Sequence, residues 1–502
     1  MARFKAAPIF SDHMVLQRGK NICVFGTGEN GINLVVELCG ATQNVTITDG
    51  KWMVVFPPMG ACRHMNLDIY NENDEDEYVT YEDVAIGEVL LAGGQSNMEM
   101  ELCDCATGEF SLEHDNTEDV RYYYVPKKTV YDDDYEEAHQ NSSWTLFEDK
   151  ESTKHWSAVA YYCAKVVSKY LDIVVGIVGC NWGGTSASCW IDEKYARGGA
   201  NVYFKEYDAA VEGKTEEELV TAYREYQKRQ AVVDKKRAEY YANTENPNEE
   251  DCEVYAGKNE YPGPHSPSNP CSPGVLYRDM ITRITPYTIG GVLWYQGETD
   301  EVHPHAYYTL LTSLIRRWRE DWNDDELMFY IAQLPMFAGS DPDGESWSLI
   351  REAQMRVYKT VKNTGIVVLA DQGERNDIHP KHKEEAGRRF GVQVLEKLCS
   401  GCDGSFAPMF DSAIWRNDMV ELHFKYARGG FKVIGEPEGF EVCGVDGVYY
   451  PAYADVSGEK IFITCDEVSR PVSVRYLWRN YADIHIFSMF GLPLAPFRVK
   501  MG

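Results

Sequence analysis

The chain has 502 residues, which at about 150 residues per domain predicts about three domains and a sizeable core. Its hydrophobic fraction of 44% and charged fraction of 25% are ordinary for globular proteins and exclude a wholly disordered or fibrous chain. Acidic residues outnumber basic residues by 79 to 49, giving a formal net charge of -30, and such a field repels nucleic acid and anionic membranes. We therefore expect no nucleic-acid partner and no membrane partner.

The sequence also lacks the usual signals for export and for metal binding. The segment MARFKAAPIFSDHMVLQ has no apolar core of the secretory kind, and no run of about 18 apolar residues occurs. We expect a cytoplasmic protein, with secretion after removal of a signal as the alternative. The CxxC motif from Cys399 to Cys402 has no second pair at zinc spacing, so we predict no metal and no cofactor. The sequence does not predict an oligomeric state.

Residues 1–82 consist of short segments rich in β-branched residues and bounded by Gly, Asn and Asp. This pattern is typical of a small all-β module. Residues 405–502 repeat it, with segments such as KIFITCD and PVSVRYLW. We predict an all-β module at each end, which either supports the functional crevice or binds glycan.

The middle of the chain, residues 83–404, alternates apolar strands with longer helical patterns. The spacing of apolar residues from 307 to 322 predicts a helix, and the short continuous apolar runs predict strands buried in a parallel sheet. This alternation, with right-handed crossovers, predicts a doubly wound α/β domain whose ligand crevice lies at the carboxyl ends of the strands. The predicted strands cover residues 88–94, 173–180, 290–297, 327–335 and 365–371.

An insertion of about residues 200–272 interrupts this alternation. Residues 213–245 show a highly charged helical pattern, and a segment rich in Pro, Gly and Asn follows. We expect a solvated helix and a surface loop, with a lid over the substrate cleft as the alternative.

Polar motifs follow three of the predicted strands in the first part of this domain. Ser96, in LLAGGQSNMEM, comes where a strand-to-helix switch exposes a hydroxyl. The pair Gly183 and Gly184, in CNWGGTSASCW, allows backbone amides to approach a ligand. Gln296, in LWYQGETD, brings a neutral amide that can donate to an oxyanion, and Glu298 either steadies the loop or contacts a sugar hydroxyl.

A fourth motif, DQGERNDIHPKHKEEAGRRF, follows the last strand and contains Asp377 and His379. A serine nucleophile needs a base of near-neutral pKa, and a carboxylate fixes the tautomer of that base. Each motif alone is also compatible with a helix cap, a tight turn or an ion pair. Because carboxyl ends of parallel strands meet at one edge of the sheet, the four together predict a single crevice.

The motifs GGQSNM, WGGTSASCW, LWYQGETD and NDIHP resemble the blocks of the sialate O-acetylesterase family, a branch of the SGNH hydrolases. The resemblance extends to IFSDHMVLQRG near the start and VRYLWRNYADIHIFSMFGLPLAPFR at the end. It is weakest across residues 100–150 and 200–270. The resemblance implies an SGNH-type sheet flanked by helices for residues 83–404.

The resemblance also implies a role for each matched residue. Ser96 becomes the nucleophile and His379 the general base and acid. The oxyanion hole becomes the amides of Ser96 and Gly184 with the side chain of Gln296, which stands where the superfamily commonly has Asn. Gly184 is preferred to Gly183 because it directly precedes a small polar residue.

The acid of the catalytic triad is where the chain departs from the superfamily pattern. Most SGNH hydrolases place it three residues before the histidine, and that position is Asn376 here. We predict Asp377 as the acid, with Asp371 or a backbone carbonyl as alternatives.

These observations predict a serine esterase, a carboxylic ester hydrolase that removes O-acetyl groups from an acetylated mono- or oligosaccharide through an acetyl-enzyme. Acetylated sialic acid and acetylated hemicellulose oligosaccharides are both compatible, with Arg351 and Glu298 as weaker candidates for substrate binding. The alternatives are a non-catalytic carbohydrate-binding protein and an SGNH thioesterase or lipase that acts on other acyl esters.

Overall fold

The computed structural model describes residues 3–148, 150–197, 201–244, 248–339, 341–402, 404–416 and 418–501. Among these residues, no helix combines the length and the apolar character that crossing a bilayer requires.

Eight strands cover the first 94 residues, and the last of them joins this region to the centre of the molecule. Strand β8 has 21 residues: its first half pairs with β7 and its second half lies in the central sheet. The predicted boundary between residues 82 and 83 falls inside this strand, and the division into domains stays a prediction. The strands are β1 (Phe4–Ala6), β2 (Val15–Gln17), β3 (Ile22–Gly28), β4 (Asn33–Leu38), β5 (Ala41–Thr46), β6 (Lys51–Phe56), β7 (Cys62–Asn71) and β8 (Asp74–Gly94).

The central sheet has the strand order β10-β9-β11-β8-β12-β13-β14. Strands β8, β9, β11, β12, β13 and β14 run parallel to their neighbours, and β10 is antiparallel to β9 at the edge. The strands β11, β12 and β14 are buried along their whole length, as their apolar runs predict. Besides β8, this sheet contains β9 (Val120–Tyr124), β10 (Trp144–Leu146), β11 (Val175–Asn181), β12 (Gly291–Tyr295), β13 (Met328–Gln333) and β14 (Thr364–Val368).

Helices alternate with these strands and pack in two main pairs, α5 with α13 and α11 with α12. Helix α11 begins with Pro304 at its first turn and buries the predicted apolar stripe from Leu310 to Trp318. The helices are α1 (Ser96–Glu99), α2 (Gly108–His114), α3 (Asp133–Gln140), α4 (Lys150–Thr153), α5 (Ala158–Leu171), α6 (Glu193–Ala196), α7 (Val202–Val211), α8 (Glu216–Asn243), α9 (Glu249–Ala256), α10 (Thr282–Ile284), α11 (Pro304–Trp322), α12 (Ser346–Thr360) and α13 (Glu384–Cys399).

The insertion contains helices α7, α8 and α9 and a loop that leads to residue 275. Helix α8 begins with a capping box formed by Thr215 and Glu218, and only Leu219, Tyr223 and Tyr226 of its 28 residues are buried. A helix with so small a buried face is largely solvated, in agreement with its charged sequence.

The last hundred residues form three small antiparallel sheets. Their strand orders are β15-β16-β21-β20, β17-β23 and β19-β18-β22-β24. The strands are β15 (Met409–Trp415), β16 (Met419–Lys425), β17 (Phe431–Val433), β18 (Phe440–Cys443), β19 (Tyr449–Pro451), β20 (Tyr453–Ser457), β21 (Lys460–Thr464), β22 (Ser473–Tyr476), β23 (Ile486–Ser488) and β24 (Phe497–Lys500).

The predicted fold class is confirmed: a doubly wound α/β sheet flanked by helices, with all-β regions at both ends. The central sheet is mixed rather than purely parallel, because β10 is antiparallel and N-terminal strands continue it through β8. Strands β11, β8 and β12 are neighbours in the middle of the sheet. The motifs that follow these three strands therefore meet at one edge.

Candidate active site

Ser96 lies at the end of β8, where the chain turns into the short helix α1. Gly94 makes this turn possible: its φ is +139°, and a side-chain carbon there would lie 2.1 Å from the carbonyl oxygen of Tyr295 on the neighbouring strand. Helix α1 begins at Ser96 itself, and the serine is half-buried. The turn thus presents the hydroxyl at the carboxyl edge of the sheet.

His379 approaches Ser96 from the segment between β14 and α13. Its Nε2 atom lies 2.8 Å from Ser96 Oγ, a normal hydrogen-bond distance across 283 residues of sequence. Burial lowers the pKa of His379 below its ordinary value, and Lys383 and Lys381 lower it further, while Asp377 and Glu99 raise it. The imidazole is therefore neutral near pH 7, and its Nε2 can accept the proton of the serine hydroxyl.

Asp377 contacts His379, but through the backbone. Its Oδ1 accepts a hydrogen bond of 2.8 Å from the backbone N–H of His379. In this conformation the carboxylate stabilises the turn that carries the histidine. The alternative acid, Asp371, is held by two hydrogen bonds of 2.6 and 2.7 Å from the buried Arg389 guanidinium. That ion pair gives Asp371 a structural role.

Of the two glycines after β11, Gly183 lies next to Ser96. A side-chain carbon on Gly183 would lie 3.4 Å from Ser96 Cβ, whereas one on Gly184 would collide with the hydroxyl of Tyr261. The Gly183 N–H donates to the carboxylate of Glu99, which also binds Lys127. Gly183 is thus the glycine next to the nucleophile, but Glu99 already binds its N–H, and the Gly184 amide stays the predicted oxyanion donor.

Gln296 lies in the same turn region but is fully buried. Its Nε2 lies 3.1 Å from Gln95 Oε1 and 3.2 Å from the Thr185 carbonyl oxygen, and it also donates to Asp300. A primary amide has two N–H donors, and three buried acceptors surround them here. The side chain therefore holds the loops together in this structure, which does not fit its predicted place in the oxyanion hole.

Asp300 is the centre of this buried cluster. It accepts hydrogen bonds from Ser186 Oγ at 2.7 Å, the Ala187 N–H at 3.0 Å, Gln296 Nε2 and the Tyr203 hydroxyl. Burial raises the pKa of its carboxyl group, and these donors oppose the rise. Asp300 thereby fixes the loop after β11 to the turn after β12.

A second buried network adjoins the segments that carry Ser96 and His379. Asn97, the residue after Ser96, donates from Nδ2 to Glu298 Oε1 at 2.7 Å and to the carbonyl of Ile378 at 3.0 Å. Its Oδ1 accepts a hydrogen bond of 2.5 Å from the Nζ of Lys383. Ile378 immediately precedes His379. One asparagine side chain therefore connects the segment of the nucleophile to the segment of the base.

Glu298 and Arg351, the predicted substrate-binding residues, are both buried. Glu298 is 3% exposed and bonds to Asn97, which supports its alternative role of steadying the loop. Arg351 is 1% exposed, and its Nη2 donates to Ser348 Oγ at 3.0 Å and to the carbonyl of Arg479. This burial does not fit the expectation that Arg351 holds a substrate carboxylate.

The insertion reaches the glycine turn through Tyr261. The Tyr261 hydroxyl donates to the Gly184 carbonyl at 2.6 Å and lies 3.3 Å from Cys271 Sγ. Burial raises the pKa of Tyr261, so the hydroxyl remains a donor at neutral pH. The loop after α9 therefore borders the site, as the lid alternative requires, while α8 is largely solvated.

Sequence reasoning found Ser96, His379 and the glycine pair but missed four residues that organise them. Asn97 and Glu99 lie in the motif that contains Ser96, and Asp300 ends the motif LWYQGETD. Their places in these motifs were the signal that could have identified them. Lys383 lies at the start of α13, where the sequence reads as an ordinary charged helix terminus. Its burial is a tertiary property that sequence pattern does not reveal.

The chain is similar to known carbohydrate esterases. Residues 267–399 match the family model described as carbohydrate esterase, sialic acid-specific acetylesterase. The sialate O-acetylesterase of Rattus norvegicus is 23% identical over 77% of this chain and 72% of its own length. That of Homo sapiens is 22% identical over 78% of this chain and 71% of its own.

A solved structure extends the match to the whole chain. The crystal structure of a carbohydrate acetylesterase from Xanthomonas citri superposes with a TM-score of 0.78 at 25% sequence identity, covering 99% of this chain and 100% of that one. The predicted resemblance to the sialate O-acetylesterase family is confirmed. The predicted enzyme class, carboxylic ester hydrolase, is confirmed with it.

Proposed function

We propose that this carboxylic ester hydrolase, a relative of the sialate O-acetylesterases, removes acetyl groups from carbohydrate hydroxyls with Ser96 as its nucleophile. The observation that carries the proposal is the 2.8 Å hydrogen bond between Ser96 Oγ and His379 Nε2 at the carboxyl edge of the sheet. A serine with a neutral imidazole at this distance is the arrangement that activates a hydroxyl for attack on an ester.

In the first half of the reaction, Ser96 Oγ attacks the acetyl carbonyl carbon while His379 Nε2 takes the hydroxyl proton. The negative charge that develops on the carbonyl oxygen faces the amides of Ser96 and Gly184, since the Gly183 N–H is bound to Glu99. His379 then returns the proton to the oxygen of the sugar as the C–O bond breaks. The acetyl group remains on Ser96 as an ester.

In the second half, a water molecule attacks the acetyl-enzyme and His379 removes its proton. The intermediate collapses, acetate leaves, and the proton returns to Ser96 Oγ. Every step uses groups of the chain and water. Gln296 contributes by fixing the turn after β12 through Asp300.

The substrate we propose is an acetylated mono- or oligosaccharide, either an acetylated sialic acid or an acetylated hemicellulose fragment. The relatives support an acetylated carbohydrate as the substrate: the proteins of Rattus norvegicus and Homo sapiens are sialate O-acetylesterases, and the solved structure is that of a carbohydrate acetylesterase. The proposed oxyanion donors are uncharged backbone amides, so they do not discriminate between a neutral and a charged leaving sugar.

The decisive experiment replaces the nucleophile. Ser96→Ala should lower acetate release from acetylated xylooligosaccharides, acetylated sialic acid and 4-nitrophenyl acetate by about 10⁴-fold or more, with an unchanged unfolding transition. Ser412→Ala, an exposed serine on β15, is the matched control and should keep full activity. Retained activity in Ser96→Ala would overturn the assignment. A preference for long acyl chains in the unaltered enzyme would replace an acetylesterase with a lipase or thioesterase.

A further inference from the structure

A groove separate from the Ser96–His379 pair lies between the N-terminal strands and the α/β sheet. Its volume is about 840 Å³, within the range of about 300–1,000 Å³ that is usual for small-molecule sites. One wall is formed by strands β1, β3 and β6, and the other by α3 and the segment around α10. None of the proposed catalytic residues lines it.

The first wall is one face of a three-stranded sheet. The pairing register sets Lys5 opposite Thr27 and Thr27 opposite Lys51, so these three side chains form a row on one face. Phe25 and Met53, two residues along their strands, form the next row on the same face. Met53 is 51% exposed. This face therefore combines an apolar centre with two ammonium groups.

The second wall contains His139 of α3, which is 4% exposed. Its Nδ1 lies 2.7 Å from the carbonyl oxygen of Tyr135, and since a carbonyl only accepts, Nδ1 carries the proton. Nε2 is then an acceptor, and among the described residues no donor contacts it. Burial, with a further contribution from Arg283, lowers the pKa of His139, which keeps the ring neutral. Nε2 itself is buried away from the groove, so His139 contributes a neutral ring to this wall and adds no charge to it.

The charges of the groove have the opposite sign to that of the chain. Its charged lining residues are Lys5, Lys51 and Arg283 against Glu136, whereas the whole chain carries -30. Arg283 Nη2 lies 3.8 Å from Glu136 Oε1, so these two charges compensate each other. Within the described part of the chain, neither Lys5 nor Lys51 forms an ion pair. Two uncompensated positive charges on one rim favour a ligand with a carboxylate.

We propose that this groove is a second saccharide site, which binds a sugar unit carrying one carboxylate. The carboxylate lies between Lys5 and Lys51, the apolar face of the sugar packs on Phe25, and the neutral His139 belongs to the opposite wall. A uronic acid and a sialic acid share this chemistry. The inference does not rest on the proposed function, because the groove and the catalytic pair use different residues.

The test compares two ligands that differ only in the carboxylate. Calorimetric titration of the full-length protein should give one site for methyl glucuronide with a millimolar Kd, and binding of methyl glucoside at least about tenfold weaker. The methyl glycoside of N-acetylneuraminic acid, titrated in parallel, shows whether the site prefers a sialic or a uronic acid. Either preference supports the proposal.

Variants assign the binding to the groove. Lys5→Ala combined with Lys51→Ala should weaken methyl glucuronide binding by about tenfold or more. Both lysines are exposed, so the fold should persist, and hydrolysis of 4-nitrophenyl acetate should be unchanged. Lys235→Ala combined with Lys236→Ala, which removes the same two charges from the exposed face of α8, is the control and should bind normally. Equal binding of glucuronide and glucoside, absence of binding at about 20 mM, or an unchanged Kd in the double variant would overturn the proposal.

Discussion

Two buried carboxylates, Glu298 and Asp300, lie two residues apart in the turn after β12, and their hydrogen bonding differs. Asp300 is saturated by four neutral donors. Glu298 accepts a hydrogen bond from the Asn97 side chain, and its Oε2 contacts no donor among the described residues. Burial raises the pKa of both groups, but only Glu298 has an ammonium group, that of Lys383, among the contributions that oppose the rise.

The difference indicates that Asp300 stabilises the fold, whereas Glu298 positions the residues of the site. The donors bound to Asp300 come from the loop after β11, the turn after β12 and helix α7, so their hydrogen bonds hold these three elements together. Glu298 instead acts on Asn97, whose side chain connects the residues next to Ser96 and His379. We therefore expect changes at Asp300 to affect the stability of the fold and changes at Glu298 to affect the reaction rate.

The largest effect should come from Asp300→Leu. Removing the carboxylate leaves buried hydroxyl and N–H donors without an acceptor, which costs about 3–5 kcal/mol of the free energy of unfolding. Urea denaturation measures this loss. Glu301→Leu, at the neighbouring exposed position, should change the free energy by less than about 0.5 kcal/mol. A stable Asp300→Leu enzyme would show that the cluster is not the structural element described above.

Glu298→Gln should have a smaller effect of a different kind. The amide oxygen of Gln still accepts from Asn97, so the free energy of unfolding should change by no more than about 1 kcal/mol. The negative charge that balances Lys383 is lost, and kcat should fall by about 10- to 100-fold through misplacement of the catalytic pair. Steady-state kinetics measures kcat, and urea denaturation of the same variant measures the free energy of unfolding. A loss of stability as large as that of Asp300→Leu would erase the distinction between the two carboxylates.

Asp377 adds a third, partly exposed carboxylate to this comparison. If an acid orients the ring of a catalytic histidine, changing that acid to Asn lowers kcat by about 10⁴-fold. In the structure Asp377 Oδ1 accepts from the backbone N–H of His379, and an Asn oxygen can do the same. We therefore expect Asp377→Asn to lower kcat by less than about tenfold, and Asp377→Ala to lower it further. A loss of several orders of magnitude in Asp377→Asn would restore the triad role predicted from the sequence.

The sequence predicted the part of the site that depends on topology. Ser96, the glycine pair and His379 follow strands of one parallel sheet, and the carboxyl ends of such strands meet at one edge. It did not predict where side chains point within that edge. The direction of the Gln296 amide depends on Asp300, and the burial of Arg351 depends on Ser348 and on the carbonyl of Arg479, which are tertiary contacts.

The fold shows the same limit. The apolar runs predicted the five central strands, because buried parallel strands have a distinctive composition. The aromatic sequence of β9 and the three residues of β10 lack such runs and were not predicted. The first half of β8 is polar, so the sequence did not show that one strand extends from the N-terminal region to Ser96.

The smallest expected effect is a change in the pH dependence of kcat/KM. It tests the role of the Lys383 ammonium group beside Glu298. In the proposed mechanism the neutral form of His379 is the active form. Burial lowers its pKa, so kcat/KM should persist below about pH 6.5 and be lost as the pH falls through that lowered pKa. Burial lowers the pKa of Lys383 to about 8, and its charged form donates to Asn97. As the pH rises through about 8, loss of that charge should therefore lower kcat/KM by about two- to fivefold. Lys383→Met should remove this alkaline step while retaining the acid limb, because no titrating group then contacts Asn97 Oδ1. An alkaline step of the same size in Lys383→Met would assign it to another group and leave Glu298 without the partner that distinguishes it from Asp300.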